Sequence, residues 1–309
     1  MAVAYFDDTV GGVEELWVTD GTVAGTHAVA SLGSAAIANL TTIGSRVFFA
    51  VDDGVHGQEL WTSDGTAGGT AMVKDIDPGS DGSSPSELTN VNGTLYFEAD
   101  DGADGAELWK SDGTGAGTVM VKDINPGSSG SFPFDLTNVG GTLCFQADDG
   151  VDGVELWRSD GTAGGTVMVK DINPGADGSY PSDLTSVNGT LYFNADDGTD
   201  GVELWKSNGF AAGTVMVKDI NPGSDTGSFP NSLTNVNGTL YFSADDGAHG
   251  FELWKSDGAA AGTVMVKDIN PGLGDSGPSD LTNVNGTLYF QADDGSHGFE
   301  LWKSDGTPA

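Results

Sequence analysis

Cysteine occurs once in this 309-residue chain, histidine four times, and basic residues number 11 against 46 acidic ones. The lone Cys144 excludes an intramolecular disulfide framework. A formal charge of −35 argues against nucleic acid as a partner, because nothing is on hand to neutralise phosphates. No apolar run approaches the length of a membrane span, and the opening MAVAYFDD does not read as a signal peptide. Nor does any stretch carry the 3.6-residue periodicity of an amphipathic helix of ten or more residues. These absences predict a soluble, helix-poor chain with no membrane insertion, whose acidity suits solubility, divalent cations or a cationic partner.

What the chain has instead is repetition. Its seven tryptophans, Trp17, Trp61, Trp109, Trp157, Trp205, Trp254 and Trp302, each close a Glu-Leu-Trp, at intervals of 44, 48, 48, 48, 49 and 48 residues. So constant a period means one supersecondary unit copied along the chain. Four β-type runs fit one unit: Leu184–Val187, Thr190–Phe193, Glu203–Lys206 and Thr214–Ile220. Asn188-Gly189 joins the first two, and Asn-Gly between apolar runs is the strongest short-range hairpin signal. The continuously apolar Thr-Leu-Tyr-Phe run predicts a strand buried on both faces. Leu204 and Trp205 alternate, so each is expected to pack a different neighbour.

Four antiparallel strands with tight turns and one long exit loop describe a propeller blade. The expected fold is all-β, a single β-propeller domain with blades at about 1–36, 37–84, 85–132, 133–180, 181–229, 230–277 and 278–309. Seven blades are preferred, the first lacking its inner strand and the last its outer one. A six-bladed ring follows if residues 24–32 supply that outer strand. A parallel solenoid is the alternative, but its coils need only about 20–30 residues and no Asn-Gly hairpin.

The unit Glu107-Leu108-Trp109-Lys110-Ser111-Asp112-Gly113-Thr114 resembles the ELW-x-x-DGT repeat family of bacterial secreted and surface proteins, thought to be propellers. The resemblance covers essentially the whole chain. Asn208 and Phe210 break the motif in one unit, and Ala259 replaces its threonine in another. It implies a propeller and an extracellular or cell-surface address, but no known reaction.

The loop between the second and third strands carries the candidate metal site. It brings together Asp100, Asp101, Asp104 and Glu107, with equivalents Asp148, Asp149, Asp152 and Glu155, and Asp196, Asp197, Asp200 and Glu203. Carboxylates beside glycines resemble an oxygen cage for Ca²⁺, the one cofactor to consider. The competing reading is that these aspartates cap their own turns. His56, His249 and His297 replace the third aspartate in other units, and histidine is a poor ligand for a hard cation. The glutamate of each ELW is expected to pair with a cross-strand lysine, as Glu155 with Lys170.

No repeated nucleophile accompanies the histidines, and near-identical blades offer one site many times, which suits multivalent binding better than catalysis. The chain is therefore read as a non-catalytic binding or scaffold module, with carbohydrate or protein as partner at its acidic face. Phe132, Tyr180 and Phe229, each before a proline in the exit loop, either stack on sugar rings or form a hydrophobic plug between blades. The alternative is a structural or adhesive protein that self-associates through its incomplete terminal blades.

Overall fold

The computed structural model describes residues 3–33, 35–223 and 226–307. They form seven consecutive antiparallel sheets, the first and last of three strands and the other five of four, and the fold is a seven-bladed β-propeller. The chain divides into two compact units: the first three sheets fall in one, the last three in the other, and the strands of the fourth are shared out between them. Among the described residues the only helices are three 3₁₀ turns of three residues each.

The fifth sheet shows how the sequence builds a blade. Its strands are Ser182–Val187, Thr190–Asp196, Val202–Ser207 and Val215–Lys218, paired in chain order. Asn188 and Gly189 take φ of 53° and 80°, the double left-handed turn that the hairpin requires, and Val187 faces Thr190 across it. A register shift falls between Leu204 and Trp205, so Trp205 lies opposite Met216 while Leu204 lies opposite Lys218. In the third sheet, the turn after the strand Ala106–Ser111 is held by its own side chains. Asp112 Oδ1 accepts from the Thr114 amide and hydroxyl at 2.9 and 2.7 Å, and Thr118 Oγ1 donates to the Thr114 carbonyl.

Sheets of the second unit pack through a repeated apolar joint. Val187, Tyr192, Leu204, Val217 and Ile220 of the fifth sheet meet Leu233, Leu240, Phe242, Ala244 and Trp254 of the sixth. The leucine of one Glu-Leu-Trp thus packs with the tryptophan of the next, as its alternation predicts. The same joint recurs in the first unit, where Phe48, Leu60 and Ile76 meet Leu95, Phe97 and Trp109. Polar contacts complete it: Lys206 Nζ donates to the Gly258 carbonyl at 2.8 Å, and Lys218 Nζ donates to Thr263 while lying 5.3 Å from the Trp254 ring centre. A tyrosine tip also seats on the glycine of the next Asp-Gly-Thr turn, so close that a Cβ on Gly258 would fall 2.3 Å from Tyr192 Oη.

The joint after the fourth sheet departs from this pattern on both of its sides. Cys144 stands in place of the tyrosine, buried and with its thiol pushed up to about 12 by desolvation. Gly209, the matching turn glycine, is approached by the Arg158 side chain instead. That guanidinium lies 4.4 Å from the ring centre of Phe210.

Candidate ligand-binding site

The acidic loop is a closed set of turn hydrogen bonds. Asp196 Oδ1 accepts from the Gly198 amide at 2.7 Å, and Asp197 Oδ1 accepts from the Thr199 and Asp200 amides, both at 2.9 Å. Asp100 and Asp101 repeat this with Gly102, Ala103 and Asp104, and Asp148 caps Gly150. Asp149 and Asp152 occupy the equivalent turn of the fourth sheet. Neighbouring carboxylates raise the proton affinity of Asp104, Asp101 foremost; for Asp200 partial desolvation leads, with Asp197 next. Where histidine replaces that residue, it binds the turn aspartate directly: His56 with Asp53 at 2.8 Å, His249 with Asp246 at 2.9 Å and His297 with Asp294 at 2.8 Å. Asp294 is drawn down to about 2 by this partner.

The glutamates of the set lie elsewhere. Glu107, Glu155 and Glu203 are fully buried. Glu203 takes the Ser228 hydroxyl at 2.6 Å and the amides of Ile220 and Asn221 at 3.1 and 3.4 Å, and the other two repeat this with Ser131 and Ser179. The expected Glu155–Lys170 pair is not what forms: Glu155 fastens the exit loop of its own sheet, while Lys170 Nζ donates to the Thr214 carbonyl above Trp205. Burial outweighs these hydrogen bonds and raises all three carboxyls above the usual range.

A calcium cage would need this glutamate turned toward the loop, and among the described residues no three acidic, histidine or cysteine side chains gather at metal-binding distance. Thermal melts in excess EDTA and in millimolar CaCl₂ at matched ionic strength are therefore expected to coincide. A midpoint raised by calcium, equivalent to about 2.7 kcal/mol per site at a hundredfold excess over Kd, would restore the metal reading.

The exit-loop aromatics come out differently from a buried plug. Phe132, Tyr180 and Phe229 are 61, 62 and 44% exposed, and each holds φ of 48°. The local cause is a sharp reversal: the Ser228 and Phe229 amides both donate to the Val202 carbonyl, and Ser131 and Phe132 do the same at Ala106. A bulky residue in the left-handed region is a true outlier. Gly277 serves the same position in the sixth exit loop, at φ 53°.

Tyr180 and Phe229 line one cavity of about 480 Å³ in the second unit. Its polar lining includes Ser182, Asn194, Asp196 and Asn231. Asn194 is fixed by two bonds, accepting from Ser182 Oγ at 2.6 Å and donating to the Pro230 carbonyl at 2.9 Å. Phe132 lies in the first unit two residues from Phe134, also exposed. Sequence reasoning missed Ser182, Asn194 and Asn231. A signal existed: within the near-constant Thr-Leu-Tyr-Phe-x-Ala-Asp run, the x position reads Ala50, Glu98, Gln146, Asn194, Ser243 and Gln291 across the units.

No family model and no curated protein sequence matches the chain. Solved structures do. The propeller domain of the Trilobed protease from Pyrococcus furiosus, described as having an open velcro topology, aligns at TM-score 0.50 and 9% identity, over 98% of this chain and 91% of that one. A prolyl endopeptidase aligns at TM-score 0.54 and 16% identity, and prolyl oligopeptidase B from Galerina marginata at 0.53 and 11%. These cover 98 and 99% of this chain but 50 and 47% of theirs, so the chain spans about half the length of those peptidases. At such identities the likeness is one of fold, and the fold it shows is the β-propeller.

Proposed function

We propose that the chain is a non-catalytic, multivalent carbohydrate-binding module, with an extracellular or cell-surface address that rests on its ELW-x-x-DGT motifs. The observation that carries this is the exposed, strained aromatic of the exit loop. Left-handed strain on a bulky residue costs on the order of 1–3 kcal/mol, and Gly277 occupies the position without it. Packing alone does not explain the choice, because much of each residue's surface stays exposed. Two rings over a polar floor suit a sugar, which offers an apolar ring face for stacking and hydroxyls for the amide and carboxylate groups below. Repetition around the blades adds avidity to individually weak contacts.

Glycine provides the test. A Phe132→Gly, Tyr180→Gly, Phe229→Gly chain loses its rings but relieves about 1 kcal/mol of left-handed strain at each site, which offsets a similar entropic cost of glycine. Glycan-array binding should fall at least about tenfold, or about 1.4 kcal/mol, while the melting temperature holds or rises. Undiminished binding, or a melting temperature that falls with it, would return these aromatics to a packing role.

A further inference from the structure

The cavity that Tyr180 and Phe229 share carries charge of one sign only. Asp196 lies in its wall, and none of the described lining residues is basic. Asp196 Oδ1 is taken by the Gly198 amide at 2.7 Å, while Oδ2 has no partner among the described residues. Asp197 and Asp200 stand in the adjoining turn. Lysines of the fourth and fifth sheets are committed elsewhere: Lys170, Lys206 and Lys218 give their ammonium groups to the carbonyls of Thr214, Gly258 and Thr263. The wall is therefore left without a countercharge from its own sheets.

The third sheet repeats this arrangement with more acid. Glu98 pairs with Ser86 there as Asn194 pairs with Ser182 in the fifth sheet, so a carboxylate stands where the cavity has its amide. It accepts from the Ser86 hydroxyl, as Asn194 does from Ser182. Burial raises its proton affinity, and the charges of Glu87 and Asp100 push the same way. A half-buried carboxylate in such a field gains from an incoming cation. The exit loop that follows offers Phe132 and Phe134, 61 and 52% exposed, with Phe134 at the repeat position of Asn231.

We propose that these sites take oligosaccharides bearing free, protonated amines, in preference to neutral, N-acylated or acidic sugars; this rests on the carbohydrate reading above. An ammonium on a stacked sugar ring lies against an aromatic face and donates to a carboxylate at the same time, and both contacts strengthen where water is partly excluded. An N-acetyl group removes the charge and both contacts with it. A uronate or sulfate meets Asp196 and Glu98 as like charges, which disfavours it. Asp100 and Asp196 hold one repeat position, so that aspartate carries the preference common to both sites, and Glu98 sharpens it at one.

Calorimetric titration with a glucosamine hexamer, an N-acetylglucosamine hexamer and a glucose hexamer tests this, at about pH 6 and about 0.15 M salt. The amine hexamer should bind at least about tenfold tighter than either neutral one. Asp196→Asn keeps an oxygen for the Gly198 amide, and Glu98→Gln installs the side chain that the repeat uses at Gln146 and Gln291. Each should narrow the preference, and the double variant should cut it by at least about threefold, as should about 0.5 M salt. Equal binding of amine and neutral hexamers overturns the amine preference and leaves the carbohydrate reading standing. Binding of none of the three overturns both. A preference untouched in the double variant places the amine elsewhere and overturns the proposal. So does amine-hexamer binding undiminished in the Phe132→Gly, Tyr180→Gly, Phe229→Gly chain, because that is adsorption to an acidic surface.

Discussion

Glu203→Ala should cost about 2–4 kcal/mol and lower the melting temperature by about 5–10 °C, although the residue touches no candidate ligand. Its carboxyl accepts from Ile220, Asn221 and Ser228 inside the blade. Truncation orphans two backbone amides and a hydroxyl, at about 1–3 kcal/mol for each that stays dry. Removing a desolvated carboxyl returns part of that loss, which is why the net figure is below the sum. In a chain this long each kcal/mol moves the midpoint by about 2–4 °C. The same groups set the pH profile. Burial raises Glu107, Glu155, Glu203 and Glu252, so their folded proton affinity exceeds the unfolded one. Their contribution is complete below the unfolded value, about pH 4.3, and is lost as pH rises through the folded value. Depressed aspartates such as Asp294 and Asp246 act in the opposite sense and lose their contribution as pH falls, Asp294 toward about pH 2. Stability should therefore peak near pH 4–5, and Glu203→Ala should flatten the decline above it. A parent chain most stable at pH 7–8 would sink the account, as would a Glu203→Ala chain melting within about 1 °C of the parent.

Phe242→Ala should cost more, about 3–5 kcal/mol, measured by denaturant or thermal unfolding. Phe242 is fully buried between Leu204 and Ile220 of one sheet and Trp254 of its own. Its neighbours are themselves buried side chains, which have little freedom to collapse into the space left behind. Phe242→Leu, which keeps most of the volume, should cost well under half as much. Equal losses for the two variants would mean that the joint relaxes freely, and that blade packing is less rigid than the interleaved side chains imply.

The fold was legible because its signals are local and repeated. Asn188-Gly189 strongly favours one kind of hairpin turn, and a run such as Thr190–Phe193 has no charged face to expose. Seven copies averaged away the irregularity of any one of them. The site was harder to read, for reasons of distance along the chain. Glu203 looked like a loop ligand because it sits three residues beyond Asp200, yet the strand carries it inward to Ser228, 25 residues away. Asn194 drew no attention because it lies far in sequence from Phe229, and only the exit loop brings them to one cavity. The strain on Tyr180 was invisible altogether. Nothing before a proline announces a positive φ; that comes from two amides converging on the Val202 or Val154 carbonyl.

The joint at Cys144 bears on whether the units are interchangeable parts. Cys144, Arg158, Asn208 and Phe210 each depart from the repeat's usual residue, and Cys144 and Arg158 sit on one side of a single contact while Gly209 and Phe210 sit on the other. Arg158 approaches the turn glycine that a tyrosine or phenylalanine tip reaches elsewhere, and Phe210 gives its guanidinium a face to lie on. These residues form a matched pair within an array whose other described joints seat a tyrosine or phenylalanine tip. A unit copied or transposed across this boundary would carry half of the pair to a place where its counterpart is missing. The array can therefore lengthen or shorten most easily at its uniform joints, and this mismatched one fixes the order of the units on either side of it.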